Sequence, residues 1–159
     1  MLTDGKVWLA PFFVHHADAV YLSWFDTPAV KQFIARRPAS LEEAKRYVLD
    51  KVADPHCWFF RILLSDRPIG TLKLDLDARE KTVCWLGLMI GDASAHGQGI
   101  GPRAIWLGCC YAFDHLGAVT VKAGISRENL ASIRAFEKTG FQIGEFPDRP
   151  ADVLAWKER

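Results

Sequence analysis

The 159 residues, half of them hydrophobic, suffice for one well-buried domain over 1–159 and are too few for two. Basic and acidic residues nearly balance at a net charge of +1, which argues against nucleic acid or an anionic membrane as a partner. No apolar run is long enough to span a bilayer, and no N-terminal segment has the charged flank and cleavage site of a signal peptide, so the expectation is a soluble, cytoplasmic protein.

In chain order, Lys6 to Phe13 is apolar and reads as a first strand that ends at the His15-His16 pair. A helix is predicted from about Ala17 through Phe25, and Pro28 suits the first turn of a second, short helix. Ser40 and Glu43 form a capping box, which predicts a helix from about Leu41 to Val52. His56 to Leu64 reads as a strand, Asp66 to Ile69 as a turn, and Gly70 to Asp77 alternates strictly between apolar and polar residues. That alternation predicts a half-buried strand whose polar face carries Thr71, Lys73, Asp75 and Asp77, facing solvent or the floor of a cleft. Thr82 to Ile90 is almost wholly apolar and therefore a central strand.

Pro102 to Leu116 is apolar at nearly every position, Trp106 included, which predicts a helix buried around most of its circumference and ended by Gly117. Ala118 to Ile125 is a further strand and Glu128 to Thr139 a helix closed by Gly140. Phe141 to Glu145 and Val153 to Lys157 read as a closing antiparallel pair. Cys57, Cys84, Cys109 and Cys110 lie in apolar stretches without Cys-x-x-Cys spacing and read as reduced thiols. The histidines show no i, i+4 pairing with carboxylates, so no metal is expected.

Between the central strand and the long helix stands Ile90-Gly91-Asp92-Ala93-Ser94-Ala95-His96-Gly97-Gln98-Gly99-Ile100-Gly101-Pro102-Arg103. Glycines at 97, 99 and 101 remove Cβ atoms from a tight turn at a helix N-terminus, where backbone N–H groups can close on an anion such as phosphate; a plain strand-to-helix turn is the bland reading. A Walker loop is excluded because Pro102 and Arg103 stand where Lys and Ser/Thr are needed. The dinucleotide fingerprint is excluded by glycine spacing and by the loop's late position.

The His96-Gly-Gln-Gly-Ile-Gly101 run resembles the pyrophosphate motif of the GNAT superfamily of acetyl-CoA-dependent N-acetyltransferases. The run from Asn129 through Ser132, Phe136, Glu137 and Lys138 to Gly140-Phe141 resembles that superfamily's second signature. The Asn-x-x-Ser form, the IGD turn and the early Trp24-Phe25-Asp26-Thr27-Pro28 stretch look most like the branch of ribosomal-protein N-terminal and nucleotide-sugar amine acetyltransferases.

The resemblance implies a mixed α/β fold: a largely antiparallel central sheet of about six to seven strands flanked by helices. It implies acetyl-CoA as cosubstrate without a metal. It also implies an acceptor that is a primary amine of a small molecule, amino sugar or polypeptide N-terminus. A homodimer is compatible with it. The cofactor-binding set it implies is Leu88, Met89 and Ile90 through their backbone, the loop His96, Gly97, Gln98, Gly99, Ile100 and Gly101, and Asn129 and Phe136 on the later helix. The helices around Trp24 and Phe25 would wall the acceptor pocket, although ordinary core packing explains each aromatic equally well.

Three departures from the superfamily pattern matter. His96 stands where Arg or Gln is usual, so it either donates to the pyrophosphate or points to solvent. Phe136 stands where many members carry the Tyr that protonates the leaving thiolate. Asn129, Ser132 and Phe136 share one helix face, and Ser132 has the only hydroxyl on it, which makes Ser132 the candidate catalytic acid. The alternatives are a Ser132 hydroxyl bonded back to its own helix and a thiolate protonated by water. Finally, Trp85 and Leu86 occupy the neighbourhood of the usual Glu base, leaving Asp75, Asp77, a water chain or an already neutral amine. An acyl-CoA-binding sensor or inactive interaction module is the competing class.

Overall fold

The computed structural model describes residues 1–34 and 36–159. Its strands are β1 (Leu2–Thr3), β2 (Val7–Pro11), β3 (Cys57–Leu64), β4 (Arg67–Leu76), β5 (Val83–Ile90), β6 (Thr120–Ser126), β7 (Gln142–Glu145) and β8 (Asp152–Glu158). The helices are α1 (Ala19–Trp24), α2 (Pro28–Phe33), α3 (Leu41–Ala53), α4 (Ile100–Asp114) and α5 (Leu130–Lys138). The strands form one eight-stranded sheet in the order β1-β2-β3-β4-β5-β6-β8-β7. Every adjacent pair is antiparallel except β5 and β6. The sheet thus has more strands than the six to seven expected, because the two-residue β1 at its edge carries too little pattern to be read from sequence.

Most predicted elements appear close to their expected limits, and local chemistry accounts for them. Asp18 caps α1 by accepting from Tyr21 N–H, and Pro28 opens α2. Ser40 accepts from Glu43 N–H at 3.2 Å, while the Glu43 carboxylate reaches one residue further back than a capping box requires, to Ala39 N–H. The turn between β3 and β4 is tighter than predicted: Ser65 and Asp66 take positive φ (48° and 65°), so β4 begins at Arg67.

The sheet separates two apolar layers. On one face α4 and α5 cover Leu9, Ile62, Leu72, Leu74, Leu86 and Val121, with Phe136 and Phe141 in edge contact at 4.9 Å. α4 can lie close because Gly108 faces the sheet: a Cβ there would sit 2.9 Å from Leu72 Cδ1. On the other face α1 to α3 cover Phe12, Phe59 and Met89, with Tyr21, Trp24, Val30, Ala44 and Val48. Each fully buried large side chain contributes about 1.5–3 kcal/mol relative to exposure. Trp24 and Phe25 are 5% and 8% exposed and belong to this core. Trp106 departs from expectation in the other direction: it lies on the outer face of α4 and is 49% exposed.

Candidate active site

The loop between β5 and α4 is built by two left-handed glycines. Gly97 and Gly99 take φ of 74° and 71°, and a Cβ added at either would meet nothing within 4 Å. Glycine is needed there for the backbone conformation, and the space beside it is open. Gly99 is the N-cap of α4, so the first amides of that helix face the opening without a side-chain acceptor. The neighbouring side chains are folded back into the loop. Gln98 Nε2 donates to Ser94 O (2.7 Å), and Ile100, 1% exposed, anchors the turn in the core and leaves only its backbone to a ligand. Asp92 accepts from Ser94 N–H and Oγ–H and pairs with Arg67 at 3.1 Å, which holds its carboxyl below the ordinary range.

His96 is exposed, but its ring is not free in solvent. Its Nε2 lies 2.9 Å from Ile90 O and must carry the proton to donate there. The ring therefore ties the glycine loop to the end of β5.

Beside the loop the sheet opens. β5 and β6 pair only through Val83–Trp85 and Thr120–Lys122, although β5 continues to Ile90 and β6 to Ser126. The N–H groups of Asp77 and Gly91 bond to Val83 O and Ile69 O, so odd-numbered positions of β5 direct their backbone toward β4. Leu88 and Ile90 then face the opening. The Ile90 carbonyl is taken by His96, whereas the N–H and C=O of Leu88 have no neighbouring strand. Met89, expected in the same set, turns its backbone to β4 opposite Thr71 and buries its side chain under α1 to α3. On the opposite rim the same alternation turns Gly124 and Ser126 toward the gap. Gly87 and Gly124, both exposed, leave the rim without side chains on the face away from α4. Neither was singled out from sequence, since a glycine within a strand pattern signals only a close backbone approach.

At the start of α5, Asn129 Oδ1 accepts from Ser132 N–H at 3.1 Å, an N-cap that occupies the oxygen. Ser132 is half-buried, and its hydroxyl has no protein partner among the described residues. Phe136 is 2% exposed within the main core, so its packing leaves no ring face for a cofactor. The face shared by the three residues thus divides: Asn129 and Ser132 stay near the surface, and Phe136 is core.

The face of the sheet bearing Gly87 holds a polar strip. Lys73 lies directly opposite Gly87 and pairs with Asp75 at 3.1 Å. Burial works against the Lys73 ammonium, but Tyr47, Asp75 and Cys57 around it prevail and raise its pKa. Burial, with Asp75 beside it, pushes the Cys57 thiol up to about 12. Asp77 accepts from the N–H groups of Glu80 and Arg79 and from Trp85 Nε1 at 3.0 Å, which hold its carboxyl at about 2. Trp85 stacks on Phe146 (6.1 Å, 13°), with Lys122 over the indole and Arg149 over the phenyl ring. The loop carrying Phe146 and Arg149 thereby closes one end of the strip. No group of three His, Cys, Asp or Glu side chains converges among the described residues.

A glycine loop on a helix N-terminus leads into a gap between two diverging parallel strands, and free backbone groups stand at both places. The chain belongs to the acetyltransferase (GNAT) domain family, which matches residues 6–142. The human alpha/beta-tubulin-N-acetyltransferase 9 is 25% identical over 155 residues, covering 89% of this chain and 75% of that protein. A probable N-acetyltransferase, YjcK, of Bacillus subtilis strain 168 is 36% identical over 78 residues, covering 48% of this chain and 42% of that one. Among solved structures, RimL, the ribosomal L7/L12 alpha-N-protein acetyltransferase with coenzyme A, superimposes with a TM-score of 0.83 at 17% identity, covering 99% and 96% of the two chains. Aminoglycoside acetyltransferase AAC(6')-Ib with coenzyme A gives 0.81 at 20% identity, covering 97% and 95%. These two are likenesses of fold.

Proposed function

We propose that this chain transfers the acetyl group of acetyl-CoA to a primary amine by direct attack on the thioester. The observation that carries the reading is the unpaired backbone of Leu88 at the mouth of the glycine loop. In this reading the amides of Gln98, Gly99, Ile100 and Gly101 hold the pyrophosphate and the pantetheine arm lies in the β5–β6 gap. The Leu88 N–H polarises the thioester carbonyl and stabilises the oxyanion that follows. His96 acts on the donor through Ile90, by fixing the end of β5. The Asn-x-x-Ser signature and the IGD turn support membership of the branch containing ribosomal-protein N-terminal and nucleotide-sugar amine acetyltransferases.

The amine enters from the polar strip beside Gly87. Its nitrogen bonds to the acetyl carbon and the C–S bond breaks. One proton leaves the nitrogen, and one is taken up by the CoA sulfur. Asp75 suits the first transfer better than Asp77, whose oxygens are already committed to three donors and whose carboxyl sits at about 2. Ser132, with an unengaged hydroxyl, delivers the second proton directly or through a water. The relatives and structural neighbours are named for tubulin, ribosomal protein and aminoglycoside acetylation, three unlike acceptors that single out none. An amino sugar, a small amine and a polypeptide N-terminus therefore remain the acceptor classes.

One observation favours the competing sensor reading: Trp85 and Phe136, neither of which transfers protons, stand where the superfamily often carries its base and its acid. The test is mass spectrometry of products after incubation with acetyl-CoA and a cell extract, beside acetyl-CoA consumption over a panel of amines. A product heavier by one acetyl group with release of CoA is expected. Donor binding without turnover across sugars, polyamines and N-terminal peptides would establish the sensor instead.

A further inference from the structure

The cover that α1 to α3 lay on the sheet ends at Met89 on β5. Beyond it, Lys122 and Gly124 of β6 stand at i and i+2 and share a face with Trp85, which is paired directly with Lys122. The loop between β7 and β8 comes down on this face at Gly124. A Cβ there would sit 2.9 Å from Arg149 Nη1 and 3.1 Å from Phe146 Cε1, so the missing side chain is what lets a guanidinium rest on the rim of the gap. Two cations thus occupy neighbouring same-face positions of β6, about 7 Å apart along the strand. They flank the stacked pair of Trp85 and Phe146: Lys122 Nζ lies 5.9 Å from the indole centroid and Arg149 Cζ 5.0 Å from the phenyl centroid.

Neither cation is fully neutralised within the protein. Lys122 has no acidic partner at ion-pair distance among the described residues, and Arg149 gives Nη2 to Asp152 while Nη1 stays over Gly124. The acids of the same face are engaged elsewhere. Asp75 pairs with Lys73, Asp77 accepts from three donors, and Glu158 accepts from Thr120 at the end of β6 away from the gap. Asp148 is exposed within the turn closed by Arg149 N–H on Phe146 O. An acceptor entering here meets an aromatic wall for its carbon skeleton and two separate N–H donors for oxygens of negative charge. A second positive charge on that acceptor meets only repulsion.

We propose that the acceptor is an amine that also carries a carboxylate or phosphate, held between Lys122 and Arg149, and that polycationic amines are refused. The inference rests on the acetyl-transfer reading above and narrows its acceptor. Lys122 supplies the charge that discriminates, and Asp152 positions the guanidinium of Arg149.

The test is steady-state acetyl-CoA consumption by the full chain with matched acceptors. Glucosamine 6-phosphate is set beside glucosamine, an N-terminal peptide with Glu at its second and third positions beside one with Gln, and spermidine serves as the polycation. An anionic member is expected to exceed its neutral partner about tenfold in kcat/KM, and the pair that responds tells phosphate from carboxylate. Lys122→Ala should bring that pair to within about twofold by raising KM for the anionic member rather than lowering kcat. Lys122→Arg should keep the preference, and Lys122→Glu should reverse it. Equal kcat/KM within both pairs, or a preference for spermidine, overturns this proposal and leaves acetyl transfer standing. A protein that binds acetyl-CoA and turns over no acceptor of the panel overturns both. A Lys122→Glu protein that keeps the parent preference removes Lys122 from the site and overturns the proposal as stated.

Discussion

The two faces of the sheet meet at the β5–β6 gap but are assembled differently. The glycine loop, which we propose holds the donor, comes from one contiguous stretch, Ile90 to Arg103, in which Gly97 and Gly99 adopt left-handed conformations and the side chains of His96 and Gln98 bond back into the loop. The polar strip, which we propose receives the amine, is drawn from distant parts of the chain: Tyr47, Lys73 and Asp75, Trp85 and Asp77, then Phe146 and Arg149. A backbone site can be written locally, because three glycines and a helix start suffice to bare the amides. A side-chain site needs separate elements in register, and each can change without unfolding the others. The glycine loop is thus expected to tolerate substitution least.

The largest effect expected on that contrast is at Ser132, the proposed acid. Ser132→Ala should lower turnover at saturating acetyl-CoA by ~10²-fold or more while CoA affinity is kept, as for loss of a general acid. Unchanged turnover and an unchanged pH profile would leave water as the acid. Phe136→Tyr does not restore the superfamily's acid, because its hydroxyl would enter the packed core against Phe141 and destabilise the fold by about 1–3 kcal/mol.

Next, a pair of glycine substitutions separates the two faces. Gly99→Val combines a left-handed backbone penalty with loss of amide contacts, about 3–4 kcal/mol together, so CoA affinity should fall by roughly several hundredfold. Gly87→Ala, with ordinary φ and open space, should leave folding and CoA titration unchanged and appear only as reduced turnover. Equal CoA affinity of the Gly99→Val protein and its parent would refute the loop geometry.

A moderate effect is expected where the faces are tied together. A Cβ on Gly91 would lie 2.2 Å from the Trp24 ring, and the Gly91 carbonyl accepts from Thr27 Oγ1. Gly91→Ala should therefore cost about 1–3 kcal/mol as Trp24 is displaced, read as a lowered Tm. A variant as stable as the parent would mean that Trp24 can move freely.

The smallest effect concerns Asp77. Its carboxyl is held at about 2 against an ordinary 3.8, so its ionised form is the one the fold favours. The contribution is fully present above about pH 4 and disappears as pH falls through 2. Asp77→Asn should lower Tm slightly at pH 7 and converge on the parent as pH falls toward 2, which flattens the acid side of the Tm profile. A profile identical to the parent's below pH 4 would show that the three donors do not stabilise this carboxylate.

Local sequence determined the elements and the glycine loop. Polar and apolar alternation from Gly70 to Asp77, the Ser40 cap and the glycines at 97, 99 and 101 each act within a few residues, so their effect is visible without the fold. The two-residue β1 and the exposure of Trp106 were not visible: the first is too short for a pattern, and the second stands between Ile105 and Leu107 in a helix apolar at nearly every position. Asn129 and Ser132 entered through the resemblance of their run to the second signature, and their helical spacing grouped them with Phe136, which the core claimed.

Only the tertiary structure decided which backbone groups of β5 face the gap. Side-chain alternation says nothing about where pairing with β6 stops, and the end of that pairing at Trp85 frees Leu88, occupies Ile90 through His96 and leaves Met89 to β4. The physical reason is that a hydrogen-bonding opportunity in a sheet belongs to two strands at once. The sequence of one strand can state what it offers, while the position of its neighbour settles what remains unpaired.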